Sequence, residues 1–202
     1  MEDLWEGVES EAARRLLRAA VELLAARGYG GASTREIAER AGLSPAAMYV
    51  HFPTKAELLY TIIHTVHVTA HAAVVAGGSA RGGVRDSPAA MVRGMVYALA
   101  AFHSRHQLAA RVTQNELAAL PPAQWATIRG MRDATEGLIL AEVARGAAGG
   151  EFDVADLTGT SRAIVSMCVD VARWYHPEGP RTPDEVGALY AHLAARMLGV
   201  KP

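Results

Sequence analysis

With 202 residues, half of them apolar and a fifth charged, the chain can bury a substantial core and suits one large domain or two smaller ones. One cysteine, Cys168, excludes an internal disulfide framework and fits a reducing compartment. The formal net charge of -1 gives no bulk attraction to a polyanion, no uninterrupted apolar run approaches the roughly 18 residues of a membrane span, and the acidic opening is unlike a signal peptide. A cytoplasmic protein without a membrane partner is expected.

Charge is unevenly placed. Residues 1–11 carry Glu2, Asp3, Glu6, Glu9 and Glu11 and no base, which reads as an acidic tail. Residues 12–60 carry seven bases against four acids, a net of +3. Leu17, Ala20, Val21 and Leu24 recur at helical spacing, so Arg14 to Arg27 is predicted as an amphipathic helix ended by Gly28, with Tyr29 packing back on it. Ser33 and Glu36 form a capping box for a second helix with Ile37, Ala38 and Ala41 on its apolar side. Gly42 supplies a positive φ for a sharp turn and Leu43 plugs the corner. Ser44 caps a third helix with Pro45 at its first position; Met48 and Phe52 face inward and leave Ala46, Tyr49 and Val50 pointing outward. That is the layout of a helix-turn-helix with a DNA-reading second helix. Thr54 then caps a helix running to about Val75. Lys55 in its first turn is badly placed for the helix dipole and well placed for a DNA phosphate.

The rest reads as helix throughout, giving an all-α fold: a three-helix reading domain over 1–58 and a larger helical domain over 59–202. Gly77 to Gly83 reads as a flexible break, followed by helices from Pro88 to about Ser104, Gln107 to Leu120, Pro122 to about Arg145, Asp156 to Trp174 and Pro183 to about Leu198.

The segment RRLLRAAVELLAARGYGGASTREIAERAGLSPAAMYVHFPTKAELL, and above all Tyr49, His51, Phe52 and Lys55 after AGLS, resembles the TetR family of bacterial transcription regulators. The resemblance implies a homodimer that binds double-stranded operator DNA at an inverted repeat and releases it on binding a small-molecule inducer, with no cofactor and no catalysis. Carried onto this sequence, it implies phosphate contacts from Thr34 and Arg35, base-edge approach by Ala46, Tyr49 and Val50, and backbone grip by Tyr49, His51 and Lys55, with Ser44 beside them. Pro45 stands where a small polar residue or glycine is more usual. The run ARWYHPEGPRTPDEVGALYAHLAARML looks like the closing helices of actinobacterial members that respond to acyl-CoA thioesters or other lipid-like molecules.

Ala and Val can meet a thymine methyl but make no bidentate bond to a base, so specificity is expected to lean also on Arg35, Tyr49, water and DNA shape. His67, Met95, Leu99, Phe102, Trp125, Met131, Met167 and Trp174 outline an apolar inducer pocket with a few polar groups; the same stripes also read as plain core. Ile164, Cys168, Val171, Leu189, Leu193 and Met197 on the last two helices are too many to hide in one thin layer and are expected at a dimer interface. His64, His67 and His71 share a stripe, but one helix cannot bring all three to one ion, so a metal would need a further donor such as His103. A DNA-binding activator or architectural factor, a metal-responsive regulator, and a helical carrier or enzyme that binds no DNA are the competing readings. No G-x-S-x-G, phosphate loop or C-x-x-C motif points to an enzyme.

Overall fold

The structure, a computed structural model, describes residues 3–79 and 87–200. Among them are nine α-helices and two short 3-10 turns, and no strand. The contacts divide the chain into two compact units. One takes the chain through Thr69 together with Leu108–Arg129, and the other takes Ala70–Gln107 with Gly130 onward.

In the first unit, the opening residues are not a free tail. Leu4 and Trp5, in a 3-10 turn (Asp3–Trp5), are 3% and 0% exposed. Ser10 then caps α1 (Glu11–Gly31), accepting from the Ala13 N–H at 3.3 Å, which starts this helix three residues before the predicted Arg14. Gly28, at φ 72 and ψ 172, interrupts α1 as expected of a positive-φ glycine, but one more helical turn follows to Gly31. Leu16, Leu17, Ala20 and Val21 are fully buried against α2 (Thr34–Arg40) and α3 (Pro45–His51). Next comes α4 (Lys55–Gly77), whose Leu58, Leu59, Ile62, Ile63 and Val66 are at most 2% exposed. By length and mean hydropathy α4 is apolar enough to cross a membrane, a property that the interspersed His and Thr conceal in the sequence. Its buried residues face the core of its own chain, while Val68 and Val75 are each 46% exposed.

The later helices α6 (Gln107–Asn115) and α7 (Pro122–Ala148) flank a 3-10 turn (Leu117–Ala119). The predicted helix to Leu120 stops at Asn115. Pro121 bars the α conformation from Leu120, which is extended at φ -78 and ψ 141.

In the second unit α5 (Pro88–Arg105) packs along α9 (Pro183–Met197) and across α8 (Leu157–Trp174). Ser87, Asp156 and Thr182 cap these three helices, the last with a full capping box through Glu185. Gly187 lets α9 come so close that a Cβ would press on the Tyr97 ring and carbonyl. Asp184 accepts from Tyr97 Oη at 3.0 Å and from Arg105 at 2.7 Å. Gly77, at the end of α4, and Gly94 in α5 also cross backbone to backbone, each occupying the place of the other's Cβ. Of the expected break at Gly77–Gly83, residues 80–83 lie outside the described residues.

Candidate nucleic-acid interface

The local chemistry of α2 and α3 explains their orientation. Ser33 Oγ accepts from the Glu36 N–H at 3.2 Å, and Glu36 Oε2 accepts from the Ser33 N–H at 2.9 Å. Arg27 adds a 2.7 Å ion pair to the same carboxylate. These donors stabilise the anion, with the Ser33 backbone bond first, and hold Glu36 down at about 2. At the other end of α2, Gly42 at φ 67 sends its N–H to Glu39 O while Leu43 N–H reaches Ala38 O, a Schellman closure that fixes the turn. Ser44 Oγ then caps α3 by accepting from the Ala47 N–H at 3.1 Å, with Pro45 at the first position.

Met48 is fully buried and Phe52 is 7% exposed, so α3 is pinned by its inner face. Its outer face is free: Tyr49 is 51% and Val50 80% exposed, and Ala46 is exposed beside them. Tyr49 Oη and Thr34 Oγ1 share a hydrogen bond of 3.1 Å, joining the start of α2 to the middle of α3. Arg35 is exposed and lies 2.8 Å from Glu39, one turn on, which raises its pKa further. Ser44 is exposed and His51 half-buried.

Lys55 is placed otherwise than a free phosphate-binding lysine. Its ammonium donates to the Tyr29 carbonyl oxygen and sits 4.1 Å from the centroid of the Tyr29 ring. Desolvation lowers its pKa, while the charges of Glu116 and Glu36 act the other way. Tyr29 therefore packs beneath Lys55, a pairing across 26 residues that no local pattern signals.

The expected pocket residues do not share one environment. Met95, Leu99 and Phe102 are buried along α5, and Met131 and Met167 are half-buried. Trp125 and Trp174, however, are 36% and 41% exposed, unlike the buried Met95, Leu99 and Phe102. Trp125 lies under Arg129, and Trp174 stacks near Tyr190. His67 is half-buried, with its Nδ1 2.8 Å from Ile63 O.

The expected interface residues also separate. Ile164, Cys168 and Val171 are fully buried within this one chain, because α8 turns them toward α5; they are core and are not open to a second copy. Burial also pushes the Cys168 thiol up, away from a reactive thiolate. Leu193 and Met197 are about 40% exposed and Leu189 is half-buried, leaving an apolar stripe on α9.

Among the described residues no three His, Cys, Asp or Glu side chains gather to hold a metal. His71 Nδ1 instead meets Thr135 Oγ1 at 3.0 Å, and His103 Nδ1 meets Leu99 O at 2.8 Å. The metal-responsive alternative built on His64, His67, His71 and His103 thus has no assembled ligand set.

A pinned helix-turn-helix with an outward reading face, followed by a helical second unit, defines the class of one-component DNA-binding regulators. Two family models match: that of the bacterial regulatory proteins of the tetR family over residues 16–61, and that of the tetracyclin repressor-like C-terminal domain over residues 85–198. The chain belongs to the TetR family of transcriptional regulators. A tetR-family regulatory protein from Rhodococcus RHA1 is 35% identical, with a TM-score of 0.87 over 96% of this chain and 100% of that one. The regulator PfmR from Thermus thermophilus is 29% identical, with a TM-score of 0.82 over 93% and 99%. AibR, in complex with isovaleryl coenzyme A and operator DNA, shares the fold at 19% identity, with a TM-score of 0.80 over 95% and 100%. No curated protein matches the sequence.

Proposed function

We propose that this regulator is a cytoplasmic homodimeric repressor that grips an inverted-repeat operator and releases it on binding an amphipathic, acyl-CoA-like or other lipid-like molecule. The observation that carries the reading is the outward face of α3. Ala46, Tyr49 and Val50 stand in solvent on a helix held at its start by Ser44 and from beneath by Met48 and Phe52. A seven-residue helix with a fixed base and an apolar face left in solvent suits insertion into a major groove. Thr34, Arg35, Ser44, His51 and Lys55 flank it and supply phosphate contacts in this reading, Lys55 by exchanging the Tyr29 carbonyl for a phosphate oxygen.

Residues 1–58 act as reader, and residues 59–202 bind ligand and form the dimer. The buried row Met95, Leu99 and Phe102 supplies apolar wall for an acyl chain, and the α9 stripe of Leu189, Leu193 and Met197 meets its symmetry mate. The acyl-CoA choice leans on the closing-helix resemblance and on AibR, which binds isovaleryl coenzyme A together with operator DNA. No catalytic step is involved.

The test is a titration of protein–operator complex with acyl-CoA thioesters of graded chain length, read by fluorescence anisotropy. Release by one chain-length class, with reciprocal weakening of that ligand by operator, is the expected result. Equal ligand affinity with and without DNA rejects the switching mechanism, and ligand binding by a protein that retains no duplex favours a carrier.

A further inference from the structure

A cleft of about 310 Å³ opens in the first unit beside the turn between α2 and α3, lined by Arg15, Arg18, Glu22, Glu39, Arg40 and Gly42, among others. Its charges are unequally satisfied. Glu22 is taken by Arg40 at 2.6 Å, and Glu39 by Arg35 at 2.8 Å. Arg15 has only a long 3.4 Å contact to the Gly42 carbonyl oxygen. Arg18 lies 3.7 Å from Glu11, a carboxylate already held by Arg14 at 2.8 Å, and its Nε is buried with no acceptor. Two guanidinium groups with spare donors therefore border one open cleft. A buried donor without a partner carries a cost that an incoming anion would remove.

The position of the cleft says which anion. The turn at Ala41 and Gly42 leads directly into Ser44 and Pro45, the start of α3. That helix has seven residues, about 10 Å of length, against a major groove about 12 Å wide. In the proposed complex, a helix of that length lying across the groove brings each end to one of the two phosphate ridges. His51 and Lys55 then serve its C-terminal end, and the arginine cleft stands at its N-terminal end.

We infer that Arg15 and Arg18 form a second phosphate site that takes the DNA backbone flanking the half-site, an inference resting on the DNA-binding reading above. Guanidinium forks match phosphate oxygens in bidentate geometry, and such contacts add affinity and salt dependence without base preference.

The experiment measures operator affinity against salt for wild type, R15Q, R15Q/R18Q and R15K/R18K, with folding checked by circular dichroism. Each lost phosphate contact lowers the slope of log K against log salt by about 0.9. R15Q, at an exposed position, is expected to lower it by one such step and the double glutamine variant by about two, whereas R15K/R18K keeps most of it. The bases selected from a random pool stay the same in every variant. A slope and affinity unchanged in folded R15Q and R15Q/R18Q overturn the inference. Chemical-shift changes at Arg15 and Arg18 with inorganic pyrophosphate, alongside an unchanged DNA slope, assign the cleft to a free phosphorylated anion and also overturn it. A wild type that selects no duplex at all removes the DNA-binding reading itself, which a variant-specific loss of slope does not.

Discussion

In the proposed DNA-binding reading, Lys55 and Tyr49 divide the work of the α3 face between stability and recognition. The Lys55 ammonium ties α4 to the end of α1 through the Tyr29 carbonyl and ring. Lys55→Met, which has neither charge nor N–H donor, removes both contacts and is expected to cost about 1 kcal/mol of stability by thermal denaturation, in addition to weakening operator binding. Tyr49 is half in solvent. Tyr49→Ala is therefore expected to leave the melting temperature nearly unchanged while costing about 1–3 kcal/mol of operator affinity, the range for loss of a good base contact. Equal losses of stability and binding would place Tyr49 in the core instead. Glu36 adds a pH signature. Its folded pKa of about 2 lies below the ordinary 4.5, so its contribution is fully present above pH 4.5 and is lost as pH falls toward 2. The melting difference between wild type and Glu36→Gln should be largest near neutrality and vanish near pH 2. A difference that persists unchanged in acid contradicts the capping-box account.

Helix glycines show how context reverses an element-level rule. Glycine inside a helix usually costs about 1 kcal/mol relative to alanine. In α7, a Cβ on Gly137 would meet nothing within 4 Å, so Gly137→Ala is expected to gain about 1 kcal/mol. In α5, a Cβ on Gly94 would overlap the Gly77 carbonyl oxygen, and Gly94→Ala is expected to lose a net of about 1–3 kcal/mol in spite of the better propensity. Paired thermal melts of the two variants decide this, and shifts of the same sign would contradict the close crossing. The capping signals at Ser33, Ser44 and Thr54 were legible in the sequence because a cap and its partner lie within three residues. The Tyr29–Lys55 pairing, the Gly77–Gly94 crossing and the arginine cleft were not, because each joins residues far apart in the chain. Ile164, Cys168 and Val171 have the composition of an interface, and only the packing of α8 on α5 reveals them as core.

At the scale of the whole molecule, the proposal assigns the buried face of the closing helices to folding and the exposed face to assembly. Val171→Ala is expected to destabilise the fold by about 2 kcal/mol by opening a cavity. Leu193→Asp and Met197→Asp, on exposed positions, are expected to leave the fold intact and produce a monomer by sedimentation. A wild type that sediments as a monomer at micromolar concentration removes the dimer from the proposal. The proposed dimer answers a need: the reading region carries a net charge of only +3 and a face poor in hydrogen-bond donors, and in this proposal two copies on a symmetric site supply the affinity that one lacks. Selection of bound duplexes from a random pool, run in parallel with wild type and Tyr49→Ala, tests this most directly. Enrichment of an inverted repeat by wild type, lost with Tyr49→Ala, is the predicted result; no enrichment, or the same enrichment by both proteins, would contradict it.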